Sequence, residues 1–377
     1  MNEVYITRVS KFLPNRPISN DEMEDKLGTI NGKTSKGRRI VLRNNQIKTR
    51  YYAIDDNGNI THNNAQLTKE AIVGLCDDTF KAEDIELLSC GTSSPDQILP
   101  SHAAMVHGFL KNGNVEINSP SGACCSGMNA LKFAYLSVKS GGTKNAVATG
   151  SERTSTWMKS DTFEEEVKYL ETLEDNPILA FNKDFLRWML SDGAGAFLLE
   201  NEPKGTQPLK IEWMEGYSYA HEIEACMYAG ADKLEDGFLK PWSEYPSDQW
   251  SKKSLFAMKQ DVKLLGENIL LKGVDSLKKA LSKHDLSPTD IDYYLPHISS
   301  HFFKEKLYQE MVAQGVEIPW ENWFMNLSKV GNVGAGSIYI MLEELAHSGK
   351  LKKGDKILLS VPESARFAYS IALLTVC

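Results

Sequence analysis

No two cysteines in this chain are spaced C-x-x-C, which excludes a zinc ribbon and a redox dithiol. The six cysteines stand at 76, 90, 124, 125, 226 and 377. The adjacent pair 124/125 is poorly set for a structural disulfide, so the expected setting is reducing and cytoplasmic. No stretch approaches the roughly 18 apolar residues that span a bilayer. The opening Met-Asn-Glu-Val-Tyr-Ile-Thr-Arg lacks the apolar core of a signal peptide. No basic stripe dominates and the net charge is −8, so nucleic acid and membrane are not expected partners, although a local basic patch could still face an acidic one. His297 and His301 have the i, i+4 spacing of a helical zinc site, but Ile298 stands where a metalloprotease needs glutamate, and no metal is expected. Gly331–Ser337 is glycine-rich without the lysine of a phosphate loop or the spacing of a dinucleotide fingerprint.

The 377 residues, 42% hydrophobic and 24% charged, are enough for one large core or two joined ones. Apolar strand-like runs (4–9, 85–90, 115–117, 145–149, 194–199, 209–217, 291–295, 357–361) alternate with helical ones (64–77, 101–110, 128–138, 260–283, about 301–313, 338–346), an α/β pattern. A further helix is expected to start at Asn20–Glu24. The basic stretch Lys33, Lys36, Arg38, Arg39, Arg43, Lys48, Arg50 reads as a surface loop or as a contact for a phosphate-bearing substrate carrier. Residues 155–190 form an excursion rich in aromatics and acids, with an acidic helix over 163–174.

The two halves of the chain repeat each other. Ser140-Gly141 and Ser348-Gly349 stand 208 residues apart, and at nearly that offset the loop after Cys90 faces Pro296-His297, and the stretch 119–128 faces Gly331–Gly334. The duplication places Cys125, His297 and Asn332 at equivalent carboxyl ends of strands, where open α/β sheets bind ligands.

The stretch Ser119-Pro-Ser-Gly-Ala-Cys-Cys-Ser-Gly-Met128 leads into an apolar, and therefore buried, helix. A cysteine alone in such a place is ordinary packing. At a helix N-terminus the unpaired N–H groups would lower its pKa from roughly 8.5 and favour the nucleophilic thiolate. Gly122 and Gly127 would leave room for a ligand at the sulfur.

Ala-Cys-Cys-Ser-Gly-Met, Leu-Pro-His-Ile-Ser-Ser and Gly-Asn-Val-Gly-Ala-Gly-Ser, in that order, resemble the three motifs of the β-ketoacyl-acyl-carrier-protein synthase III family of thiolase-fold enzymes. Gln46–Arg50, Leu99-Pro100-Ser101 and Ser191–Ala196 extend the resemblance over the whole chain. It implies a duplicated five-layered α-β-α-β-α fold and a homodimer. One half is expected at 1–205, carrying the cysteine and the insertion 155–190, and the other at 206–377, carrying the histidine and asparagine. By motif position Cys125 is the nucleophile, with Cys124 packing beside it, and His297 and Asn332 are its catalytic partners. Cys125 would hold an acyl group as a thioester. Its own N–H and one from Ser364, Ala365 or Arg366 would stabilise the oxyanion. His297 and Asn332 would hold the second thioester carbonyl while a carbanion attacks the acyl carbon. No cofactor is implied, because the substrates arrive on acyl carrier protein or coenzyme A.

Three departures bear on the subtype. Arg39 stands where initiating synthases often have an adenine-stacking tryptophan, the glycine-rich C-terminal stretch is Pro362-Glu-Ser-Ala-Arg-Phe367, and the excursion 155–190 is long. Arg187, in the apolar run Phe185–Leu190, needs an acidic partner, with Glu152 a candidate, or an anionic ligand. Leu99, Glu152 and Arg187 are expected beside the substrate, and Arg38, Arg39, Lys304 and Lys306 are expected to dock the carrier protein. Within the family the chain most resembles ketosynthase/cyclases of dialkylresorcinol and flexirubin pathways, which would join a β-ketoacyl and a second acyl thioester and close a cyclohexanedione ring. A chain-initiating synthase and a non-catalytic partner subunit are the alternatives.

Overall fold

Gly193–Glu200 (Gly-Ala-Gly-Ala-Phe-Leu-Leu-Glu) is buried at every position, as a strand covered on both faces must be. The computed structural model describes residues 1–29, 32, 34, 35, 38–160 and 186–377. Its main strands are β1 (Tyr5–Phe12), β2 (Leu87–Thr92), β3 (Glu116–Asn118), β4 (Asn145–Glu152), β5 (Gly193–Glu200), β6 (Leu209–Ser218), β7 (Tyr293–Pro296), β8 (Lys356–Glu363) and β9 (Ala368–Val376). The main helices are α1 (Asn64–Val73), α2 (His102–Leu110), α3 (Cys125–Ser140), α4 (Val262–Lys283), α5 (Lys304–Gln314) and α6 (Ser337–Ala346).

The sheet order is β7-β8-β9-β6-β1-β5-β4-β2-β3. Its two halves repeat one pattern. In the first, β2 runs parallel to β4, β4 antiparallel to β5, and β5 antiparallel to β1. In the second, β7 runs parallel to β8, β8 antiparallel to β9, and β9 antiparallel to β6. The halves join edge to edge through Tyr5↔Lys210 and Ile6↔Leu209, with the Ile211 N–H bonding the Val4 carbonyl at 2.9 Å.

Helix α3 packs on β2 and β4 and also on β8 and β9, while α6 packs on β1, β4, β5 and β7. These two helices are therefore the middle layer, between two sheets, which explains why they are rich in buried apolar residues. Helix α1 lies outside one half of the sheet, against β1, β4 and β5, with α2 beside it on β2. Helix α4 lies outside the other half, on β8 and β9, with α5 packed against α4. The result is the five-layered thiolase-type architecture.

The middle layer closes because two glycines admit a backbone. A Cβ on Gly127 would lie 2.3 Å from the Ala335 carbonyl oxygen, and one on Gly150 only 2.1 Å from the same atom. Gly127 thus serves the contact between the halves, not ligand access to the sulfur as expected. Tyr339 locks the contact, stacking on Phe197 with centroids 4.2 Å apart and donating to the Gly127 carbonyl at 2.8 Å. Gly150→Ala is expected to destabilise the fold by about 3 kcal/mol or more, since backbone faces backbone there. Gly108→Ala, with nothing within 4 Å of its Cβ, should change stability by under about 1 kcal/mol. Urea unfolding of the two variants checks this.

Some local expectations shift. The basic stretch is a helix from Arg38 to Asn45, because Val41 and Asn45 turn inward and Asn45 Nδ2 donates to the Trp188 carbonyl at 3.0 Å. The helix expected from Asn20 starts at Met23, and Glu22 takes the Ser19 N–H instead of capping it. Strand β9, unassigned from sequence, is a continuous apolar run without alternation. Lys33, Lys36 and the acidic helix of 163–174 lie outside the described residues. Among the described residues no helix is long and apolar enough to cross a membrane, and no cluster of three or more His, Cys, Asp or Glu could hold a metal.

Candidate active site

The N-terminus of α3 carries Cys125, 3% exposed, and no side chain of its own cap, Cys124, bonds the first turn. The last residue of β8 supplies the missing acceptor. Glu363 Oε2 takes the N–H groups of Ala123 and Cys125, each at 3.1 Å. This carboxylate stands where the helix N-terminus attracts an anion.

The thiol faces oxygen. Its Sγ lies 3.3 Å from the Val361 carbonyl and 3.7 Å from that of Ala368. Burial, then the Glu363 charge, then Cys124 push the Cys125 thiol well above its ordinary value. The expected lowering by the helix terminus is therefore corrected: those N–H groups already hold a carboxylate, whose charge opposes a thiolate. Cys124 is raised too, by burial first and by Glu363 second. Gly122 faces the Glu363 carboxylate, 3.5 Å from its Cβ position, rather than an open approach to the sulfur.

His297 follows β7, and its N–H bonds the Ser360 carbonyl at 2.8 Å, one residue before the carbonyl that faces Cys125. Strand β8 thus holds both groups. Burial alone lowers the His297 pKa to about 4, so the ring is neutral at ordinary pH and carries one N–H donor. Asn332 is pinned on both sides of its peptide, its N–H bonding Met189 and its carbonyl accepting from Ser191 at 2.9 Å. Its Oδ1 accepts the Gly334 N–H at 2.9 Å, which turns Nδ2 outward as a donor. Neither the His297 ring nor Asn332 Nδ2 has a partner among the described residues. Both residues are about 5% exposed, His297 at 4% and Asn332 at 5%. Two buried, unengaged donors are suited to an incoming carbonyl oxygen.

The loop bearing Asn332 is anchored by Glu152. Its Oε1 accepts from Ala335 and Ser93 N–H, each at 3.1 Å, and its Oε2 from Ser94 Oγ at 2.5 Å. Glu152 is thus engaged by the scaffold. It does not pair with Arg187, contrary to expectation. Arg187 is 1% exposed and donates to the carbonyls of Met158 (3.0 Å), Leu27 (2.9 Å) and Gly28. A guanidinium has five donors, and three carbonyls on two segments accept from it here.

The remaining expected residues are placed as follows. Ser364, Ala365 and Arg366 form the turn between β8 and β9 and bind the segment 223–227. The Ala365 carbonyl accepts from Cys226 (2.9 Å) and Met227 (3.2 Å), Ser364 Oγ lies 3.8 Å from Met227 Sδ, and Arg366 Nε bonds the Ile223 carbonyl at 3.3 Å. These contacts use the Ala365 carbonyl and the Ser364 and Arg366 side chains, not the backbone N–H groups expected as oxyanion donors, and the sequence reading missed Glu363, one residue earlier. Leu99 is exposed, on a loop whose Ile98 lines a cavity of 610 Å³ with Ser93, Trp157, Met158, Leu186 and Met258. Arg38 is engaged by Glu24 at 2.9 Å, whereas Arg39 is exposed. Lys304 lies over Trp320 and Lys306 over Phe302. The helix from Arg38 contacts the turn His301–Phe303, which leads into the helix bearing Lys304 and Lys306.

Comparison with known proteins bears on this arrangement. Residues 93–204 match the family model for the β-ketoacyl synthase N-terminal domain, and 281–362 match that for the 3-oxoacyl-[acyl-carrier-protein] synthase III C terminal. The chain belongs to the β-ketoacyl-acyl-carrier-protein synthase III family. Synthase III of Clostridium novyi is 26% identical over 95% of both chains, and that of Chlorobaculum tepidum 25% over 94% of both. Among solved structures, synthase III of Aquifex aeolicus superposes with a TM-score of 0.70, at 21% identity over 99% of both chains. A tetronic acid condensing enzyme, AbyA1, superposes at 0.72 with 18% identity over 99% of both. OleA of Xanthomonas campestris superposes at 0.69, also at 18%, over 100% of this chain and 98% of the other. As a ketosynthase III-type protein the chain is a condensing acyltransferase, and Cys125 stands at the start of the middle-layer helix within the first family match.

Proposed function

We propose that this synthase III-type protein loads an acyl group onto Cys125 and joins it, by carbon–carbon bond formation, to a second, β-ketoacyl thioester, then closes a dialkylcyclohexanedione ring. The observation that carries the condensing step is the pair of buried, unpartnered donors, the His297 ring, whose residue is bonded to the strand that faces Cys125, and Asn332 Nδ2. The acyl thioester carbonyl is attacked by the Cys125 sulfur, and the thiol of the carrier leaves. The second substrate's carbonyl oxygen takes the two donors, which favours charge on that oxygen as its α-carbon loses a proton to solvent and becomes the nucleophile; the Cys125 thiolate released in the next step takes up a proton in turn. That carbon attacks the acyl-Cys carbonyl and expels the Cys125 thiolate. The 610 Å³ cavity beside the Ser93 loop is the space this reading assigns to a second chain.

Acyl carrier protein is the proposed delivery partner, meeting Arg39, Lys304 and Lys306 on one face, in a homodimer of this chain that uses no bound cofactor. The chain-initiating reading draws its support from the synthase III names of the relatives. Paired assays test the choice. Acyl plus β-ketoacyl thioesters are expected to give a cyclised product by mass spectrometry. Ready turnover of short acyl-CoA with malonyl carrier protein, without product from the first pair, would favour initiation.

A further inference from the structure

Glu363 has no assigned role, yet it occupies the position that matters most for the first half-reaction. The tetrahedral oxyanion formed on Cys125 needs the Cys125 N–H, and Glu363 Oε2 holds that N–H at 3.1 Å. An ionised carboxylate there would repel the oxyanion. The thiol meanwhile carries its proton, facing two carbonyl oxygens, while the carboxylate bonded to the N–H of the same residue opposes its ionisation. No lysine, arginine or histidine pairs with Glu363 among the described residues, and Oε1 receives no hydrogen bond from them. One proton transfer would resolve both conflicts.

We propose that Glu363 is a catalytic residue that accepts the Cys125 thiol proton during acyl loading and, once protonated, ceases to oppose the oxyanion and donates to it. The step balances. The S–H proton passes to the carboxylate as sulfur bonds the thioester carbon, and the carbonyl electron pair moves to oxygen. On collapse the carrier thiolate leaves and takes the proton back from Glu363, restoring the carboxylate. A carboxyl kept neutral in an apolar site so that it can donate a hydrogen bond is a known catalytic device. Burial raises the Glu363 pKa, which brings its basicity closer to what a thiol requires. The titratable groups facing the thiol are Glu363, Cys124 and Tyr369, with Glu152 acting on Cys124. Glu363 is the one among them whose carboxylate bonds the Cys125 backbone.

This role rests on the acyl-Cys reading above, and the test separates the two. Wild-type protein, Glu363→Gln and Glu363→Ala are compared for acyl loading from a medium-chain acyl-pantetheine thioester and for iodoacetamide alkylation of Cys125 across pH 6–10. Loading is expected to fall about 10²-fold or more in both variants and to lose its rise with pH from carboxylate ionisation. Alkylation at high pH is expected to persist, at a lower apparent thiol pKa, because a negative charge has gone and no proton acceptor is needed there. Equal or faster loading in Glu363→Gln would overturn the proposal and leave the carboxylate as a plug in the oxyanion site. A wild-type protein that alkylates at Cys125 but accepts no acyl group would overturn the acyl-Cys reading itself.

Discussion

Replacing Cys125 by alanine is expected to abolish acyl-enzyme formation and to cut condensation by about 10⁴-fold or more. No neighbouring thiol can substitute. Cys124 is displaced along the helix start, it too is raised by burial and by the Glu363 charge, and the carbonyls of Val361 and Ala368 aim at Cys125 Sγ. Cys90 lies buried in β2, where burial pushes its thiol up to about 12. Cys124→Ala therefore serves as the control and should retain acylation. Intact-protein mass spectrometry after incubation with an acyl thioester reads both variants directly.

The second large effect is expected at the donor pair. His297→Ala and Asn332→Ala should each lower condensation by about 10²–10³-fold while leaving acyl loading of Cys125 near the wild-type rate. The split between half-reactions follows from geometry: both donors are unengaged, and neither hydrogen-bonds the thiol or Glu363. The double variant should lose less than the product of the single losses, because the two groups act on one oxygen. With the His297 pKa near 4, the acid limb of condensation above about pH 5 should not move in a His297→Gln variant. Single-turnover assays on pre-acylated protein separate these losses from failed loading.

The fold was largely legible because its determinants are local and repeated. The all-apolar middle helices and the buried strands declare themselves by composition, and the 208-residue echo predicts their pairing. The strand pattern β2-β4-β5-β1 recurs as β7-β8-β9-β6. Cys125, His297 and Asn332 stand out in the sequence because each sits in a short motif at a strand or helix end.

What failed to show was anything set by a partner distant in sequence. That α3 starts at Cys125 can be read from the chain, but that Glu363, 238 residues later, fills its N-terminus cannot. The thiol pKa was therefore expected to move in the wrong direction. Arg187 and Glu152 were paired on charge alone. In the structure, carbonyls of Leu27, Gly28 and Met158 receive the guanidinium, and the Ser93, Ser94 and Ala335 donors satisfy the carboxylate. Gly127 looked like ligand space and proves to be the seat of the Ala335 carbonyl.

The central claim is that a group held on the Cys125 sulfur is transferred to carbon. Protein loaded with a ¹³C-carbonyl acyl group, freed of donor and chased with an unlabelled β-ketoacyl thioester, tests it in one turnover. The label is expected at the new carbon–carbon junction of the product, with Cys125 returned to its free mass. Label appearing solely as free carboxylic acid, or an unlabelled condensation product, would contradict the account.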